Sequence, residues 1–192
     1  MSKKKALEEL RNTRVTEEFT QGVEIPGMDL TAEDLTGVLV EDLDAEGTIF
    51  RGAVLAEMRA ISGHFDGANF EGACLDDGVF FSCSFEGATF TNATAQRAEI
   101  TASFMDRTKA DGANFEDADL SNSIFNDASL REANLKGVRA KETTFTRADL
   151  TGADLSNGNF ENADFKKAKL KGVNWTGANL KGATFDPKAR PA

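Results

Sequence analysis

From Met28 to Pro187 the sequence keeps a period of five residues without an insertion. The stretch 146–165, TRADLTGADLSNGNFENADF, shows it most plainly. A small residue (Ala148, Ala153, Gly158, Ala163) is followed by Asp or Asn (Asp149, Asp154, Asn159, Asp164), then by Leu or Phe (Leu150, Leu155, Phe160, Phe165), then by two polar or small residues. The large residue falls on every position divisible by five from Leu30 to Phe185, which makes 32 fives. Twelve of these centres are Phe and eleven are Leu; Val40, Ile100, Met105 and Trp175 are also large, and Ala45, Ala60, Ala95, Ala110 and Ala140 complete the set. Two positions before each centre stands a second restricted site, Ala in 16 of the 32 fives. Across both sets only Glu33 is charged, in a chain that is 28% charged. Burial accounts for the exclusion, because an unpaired buried charge costs several kcal/mol.

Helices repeat at about 3.6 residues and strands at about 2.0, so neither produces a period of five. A fixed short period over a long stretch means a solenoid, in which each repeat packs on its neighbours. Over residues 28–187 the sequence resembles the pentapeptide repeat family, whose loose motif is A(D/N)LXX. The resemblance implies an all-β solenoid, a right-handed quadrilateral β-helix in which four fives form the four sides of one coil. The 32 fives then give about eight coils, and at the ~4.8 Å spacing of paired strands a rod roughly 35–40 Å long. The register sorts the centres into four columns. One of them, Ala45, Phe65, Phe85, Met105, Phe125, Phe145, Phe165 and Phe185, is a ladder of rings broken by a single Met. Where a centre is Ala, the inward residue two before it is often enlarged (Leu43, Met58, Thr108, Val138), as a close-packed interior demands.

Three segments follow. Residues 1–27 do not repeat. Ser2 is placed to cap a helix through KKKALEELRNTR with Leu7 and Leu10 on one side, and Pro26-Gly27 marks a turn. This reads as an end cap of helix plus turn. Residues 28–187 form the β-helix and 188–192 a tail. No apolar run reaches the roughly 18 residues of a membrane span, and MSKKKALEELR lacks an apolar signal core, so the expected location is the cytoplasm and no membrane contact is expected.

The carboxylates belong to the repeat. The residue before the centre is Asp or Asn in 13 fives, where a short polar side chain bonds nearby backbone at a corner, and Gly lies two after the centre in 12. Their spacing follows the fold and matches neither paired catalytic acids nor a calcium loop. Cys74 and Cys83 make neither a disulfide framework nor a metal site, and Cys83, at an inward position, reads as a buried substitute for Ala. With one histidine, His64, and no nucleophile beside a base, the chain is expected to be no enzyme and to need no metal or other cofactor.

Function is then sought on three surfaces. The first is charge: residues 28–127 hold five basic and twenty acidic residues, a net of −15, whereas residues 128–192 carry a net of +5. Within the family that the chain resembles, some members mimic DNA and protect type II topoisomerases, such as bacterial DNA gyrase, from quinolones; the resemblance makes a DNA-mimicking topoisomerase regulator the alternative function. The second is apolar. Ile61, Val79, Phe81, Phe104 and Ile124 cluster by register on the outside of the middle coils, and Phe81 and Phe104 are the only Phe residues within the repeats that are not centres. Such a cluster is either a contact site for a protein partner or a patch covered by residues 1–27. The third is the basic C-terminal coil, in which Leu170, Trp175, Leu180 and Phe185 are the centres. Its strand edge invites pairing with a second copy, so a homodimer through that coil is expected. Direct nucleic-acid binding is not expected of so acidic a chain. The favoured reading is a rigid protein–protein interaction module.

Overall fold

The computed structural model describes residues 1–187, 189 and 191. Helix α1 (Lys3–Thr16) is followed by five short strands, β1 (Thr20–Gln21), β2 (Leu39–Glu41), β3 (Arg59–Ile61), β4 (Val79–Phe81) and β5 (Glu99–Thr101). The strands are parallel and stack in sequence order, each residue pairing with the one 20 later: Thr20 with Val40, Val40 with Ala60, Ala60 with Phe80, Phe80 with Ile100. Isolated bridges carry the same offset along the remaining sides as far as Asp164 with Thr184. A chain that meets itself every 20 residues on four sides is the quadrilateral β-helix that the family resemblance implied, right-handed and capped by a short helix.

The two restricted positions of each five point inward. Every centre from Leu30 to Phe165 is at most 2% exposed, and the enlarged Leu43, Met58, Thr108 and Val138 are buried beside their alanine centres. The rings stack coil on coil: Phe50, Phe70 and Phe90 in one column at 4.9 and 4.8 Å, Phe65 and Phe85 in the next at 4.9 Å. Below Met105 the ladder resumes with Phe125, Phe145, Phe165 and Phe185 at 5.4, 5.1 and 5.1 Å. Cys83 lies fully buried among them, and burial pushes its thiol up to about 12.

The corners explain the other three positions. Each of the thirteen Asp and Asn residues before a centre accepts, through Oδ1, the amide two residues on, at 2.9–3.2 Å. Where the acceptor is Asp29, Asp34 or Asp154, side-chain and amide bonds from Thr31, Thr36 or Ser156 hold the carboxyl below its usual range. The residue two after the centre has positive φ at each corner from Ala32 to Gly182, and twelve of these are Gly. The others, such as Ala102 at φ 51 and Glu57 at φ 58, take a conformation that L-residues disfavour. Hydrogen bonds from their amides to the next coil hold them there, as from Glu57 to Asp76 at 2.9 Å.

One corner changes character along the rod. After Val40, Ala60, Phe80 and Ile100 the chain runs on as strand and bends, whereas from Leu120 onward the same corner is a turn. In the open form the buried amides of Cys83 and Ser103 lack the turn bond and donate instead to the hydroxyls of Ser103 (3.1 Å) and Ser123 (3.0 Å) in the following coil. At Ser123 the amide turns back to the Leu120 carbonyl at 3.2 Å. Ser103 and Ser123, which the sequence presents only as small inward residues, are therefore hydroxyl donors and acceptors that satisfy buried backbone.

The coil begins earlier than Met28. Thr20 and Glu24 already pair with Val40 and Asp44, and Val23 and Ile25 are buried in the same register as later inward residues. The cap proper is α1. Ser2 accepts the Lys5 amide at 3.3 Å, and Ala6, Leu7, Leu10 and Thr13 are its buried face. The Thr13 hydroxyl accepts the Leu39 amide at 2.9 Å, which ties the helix to β2. Glu33, the one charged inward residue, is held between Lys3 and Arg11 of the helix, each at 2.8 Å. Pairing from the cap, on a side chain that also keeps 23% of its surface in water, permits a charge at that position.

Candidate functional site

Phe81 ends β4, and its Cα partners are Ile61 in the coil before and Thr101 in the coil after. Phe104 lies round the corner on the next side, between Ser84 and Ile124 on their ladder. Val79, at the start of β4, sits between Arg59 and Glu99. The register thus brings all five expected patch residues to one corner of the middle coils. They are not equally presented: Phe81 is 49% exposed and Phe104 50%, while Ile61, Val79 and Ile124 are half-buried and form the floor.

Residues 1–27 leave the patch uncovered. Beyond its buried face, α1 reaches Asp34 and Thr36 through Arg11 and Arg14. Phe19 lies further along, with the Arg59 guanidinium 5.9 Å from its ring centre. The cap therefore meets the first coils, whereas Phe81 and Phe104 lie in the third and fourth. Neither takes part in the ring contacts of the core among the described residues, so solvent exposure is their state in the isolated chain.

The backbone beneath the patch is fixed. The Phe104 amide donates to the Cys83 carbonyl at 2.9 Å, and its own carbonyl accepts from Phe85 at 2.8 Å. Ile124 donates to Ser103 at 3.0 Å. Exposed rings on hydrogen-bonded ladders lose little freedom when covered, which favours binding there.

Beside the rings runs a column of acid. The position one after the centre on the Phe104 side reads Glu46, Asp66, Glu86, Asp106 in successive coils. Asp66 accepts the Ser84 hydroxyl and the Glu86 amide, and Glu86 pairs with Arg107. Glu46 and Asp106 have no ion pair among the described residues. Burial raises the Asp106 carboxyl above its usual range, against the Asn126 side chain, with the Asp127 charge adding to the rise and the Arg147 charge opposing it. The sequence reading, which sorted the inward columns only, missed this ladder; sorting the outward positions by the same 20-residue offset reveals it. It also missed Val54, 38% exposed on another side.

At the other end Leu170, Trp175, Leu180 and Phe185 are partly buried against the core. The Trp175 ring packs edge-on against Phe165 at 5.2 Å and Phe185 at 5.9 Å. Several lysines of this end are already paired within the rod: Lys166 with Asp164, Lys169 with Asp149, Lys181 with Glu161. Among the described residues no helix is long and apolar enough to cross a membrane.

A family model described as a pentapeptide repeat region matches residues 78–153 and 119–188. Among solved structures, a trypsin-treated variant of QnrB1, a plasmid-mediated fluoroquinolone resistance protein, superposes with a TM-score of 0.68 at 23% identity. The match covers 87% of this chain and 91% of that one. HetL, a pentapeptide repeat protein involved in heterocyst differentiation regulation from the cyanobacterium Nostoc sp. strain PCC 7120, matches at 23% identity over 92% of this chain and 93% of that one, with a TM-score of 0.39. Among curated proteins none matches the chain.

Proposed function

Because the chain belongs to the pentapeptide repeat family, we propose that it is a rigid, non-enzymatic protein–protein interaction module. The observation that carries this reading is the pair Phe81 and Phe104, half-exposed on a rod whose Phe centres turn inward. Large apolar groups held outward on a fixed backbone cost solubility and contribute nothing to the core, which suits a contact site. The double variant Phe81→Ser, Phe104→Ser should leave the melting temperature within a degree or so, since neither ring fills the core, and should abolish retention of the partner from the native host. A large fall in melting temperature, or retention unchanged, would sink the reading.

A second reading, regulation of a type II topoisomerase by DNA mimicry, draws on the net −15 of residues 28–127 and on family membership. A gyrase supercoiling assay with and without a quinolone tests it; no effect at micromolar protein removes it. We also propose that two copies meet through the last coil, where Leu170 and Trp175 are only partly buried. Apolar contact there outlasts charge screening, so sedimentation should show a dimer that tightens as salt rises. A monomer at both low and high salt, at tens of micromolar chain, rules it out.

A further inference from the structure

Phe104 and Asp106 stand on the same side of the rod, two residues apart and both outward, with Met105 between them turned into the core. One coil earlier the same positions hold Ser84 and Glu86, and two coils earlier His64 and Asp66. The side therefore carries an apolar strip, Phe104 and Ile124, alongside a carboxylate ladder, Asp66, Glu86 and Asp106. Coils are spaced by ~4.8 Å, so like charges stand well within a Debye length of one another. Phe81 extends the apolar strip round the corner, where Glu99 adds a further carboxylate next to Val79.

The rod compensates this charge only in part. Of the nearby cations, Arg107 is engaged with Glu86, Arg97 with Asp77, Arg59 lies over the Phe19 ring, and Arg147, whose charge also reaches Asp106, is paired with Asp127. Asp106 and Glu99 have no ion pair among the described residues. An incoming cation would relieve repulsion along the ladder as well as pair with it. An incoming anion, whether acidic peptide or phosphate, would meet the same ladder at close range, and like-charge juxtaposition works against docking. A purely apolar partner would cover the rings while burying carboxylates with nothing to pair them, which is costly.

We infer that this corner takes an extended protein segment whose every second residue, all on one face, is in turn Lys or Arg and a large apolar group, the apolar groups covering Phe81 and Phe104 and the cations lying along Asp66, Glu86 and Asp106. The inference rests on the interaction-module reading and supplies the chemistry of its partner. An extended segment fits, because its residues two apart share one face, as Phe104 and Asp106 do on the rod.

Three end-blocked octapeptides test it on the full chain by fluorescence anisotropy: Lys–Leu (Lys-Ser-Leu-Ser repeated, so that Lys and Leu share a face), Glu–Leu (Glu replacing each Lys) and Lys–Ser (Ser replacing each Leu). The Lys–Leu peptide should bind on the order of tenfold or more tightly than either of the others. Phe104→Ser and Asp106→Asn should each weaken it several-fold, and rising salt should weaken it further. Glu142→Gln, exposed in a distant coil, should leave it unchanged. Equal affinity for the Glu–Leu peptide, or Lys–Leu binding indifferent to both substitutions at the corner, would overturn the inference. The two levels separate cleanly. Partner retention lost in the Phe81→Ser, Phe104→Ser variant, with no preference for the Lys–Leu peptide, overturns the partner chemistry and leaves the module reading standing. Retention that survives the double variant overturns that reading itself.

Discussion

Phe70→Ala is expected to lower the free energy of unfolding by about 3–5 kcal/mol, the range for truncating a buried aromatic ring in a core that cannot collapse onto the space. Phe70 is fully buried, stacked on Phe50 at 4.9 Å and on Phe90 at 4.8 Å, with the tilted rings of Phe65 and Phe85 both at 5.9 Å. The coils above and below are fixed by ladder bonds such as Phe70 to Thr89 at 2.7 Å, so they cannot close on the cavity. Asn159→Ala is the comparison. Its Oδ1 accepts from Glu161 at 3.2 Å and from Asn179 at 2.8 Å at a solvated corner, and losing such bonds should cost about 1 kcal/mol. Denaturant midpoints read both. Comparable losses would mean that the inward and outward positions have been confused.

The second large effect runs against the repeat pattern. Ala is the commonest residue two before a centre, so Gly78→Ala brings the sequence closer to its own rule. The structure reverses the expected sign. A Cβ at Gly78 would stand 2.7 Å from Cε2 of Phe80, 2.9 Å from the Leu75 carbonyl oxygen and 3.4 Å from that of Met58. Neither oxygen is free to move: the Leu75 carbonyl accepts the Gly78 amide at 3.1 Å, and the Met58 carbonyl accepts Val79 at 2.7 Å. Overpacking of this kind should destabilise the chain by about 1–3 kcal/mol. The same side repeats the arrangement at Gly158, where a Cβ would lie 2.5 Å from the Phe160 ring. Where the centre is Ile100 rather than Phe, the preceding inward residue is Ala98, and it is accommodated. Adding Phe80→Ile to Gly78→Ala should therefore recover part of the loss. A neutral or stabilising Gly78→Ala, measured by thermal and denaturant unfolding, would refute the clash.

The sequence alone determined the fold because the information is local and repeated. An inward residue at every fifth position, a small partner two before it and a polar corner residue between them are decided by whether a side chain fits inside a narrow coil, and 32 copies make the rule unambiguous. The corner role of Asp and Asn was equally legible, since Asp29 to Thr31 or Asn174 to Thr176 spans two residues of chain. So was the outward placement of Phe81 and Phe104, which follows from register.

What the tertiary structure decided involves segments distant in sequence or differences between chemically similar positions. Glu33 is tolerated because Lys3 and Arg11 approach it from a helix whose docking no periodicity specifies. Whether residues 1–27 covered the patch depended on how far that helix and Phe19 reach along the rod, and they stop short of it. Ser103 and Ser123 look like any small inward residues until the open corner leaves the amides of Cys83 and Ser103 in need of acceptors. The acidic ladder beside Phe104 can be read by setting residues 20 apart side by side, but which of its carboxylates is paired, as Glu86 is with Arg107, depends on side chains of the neighbouring coils. Periodicity fixes which side chains point in, because exclusion from water acts on each residue separately. Which outward groups become neighbours, and which remain uncovered, is set by coil closure and by the docking of the cap, and those are properties of the assembled chain.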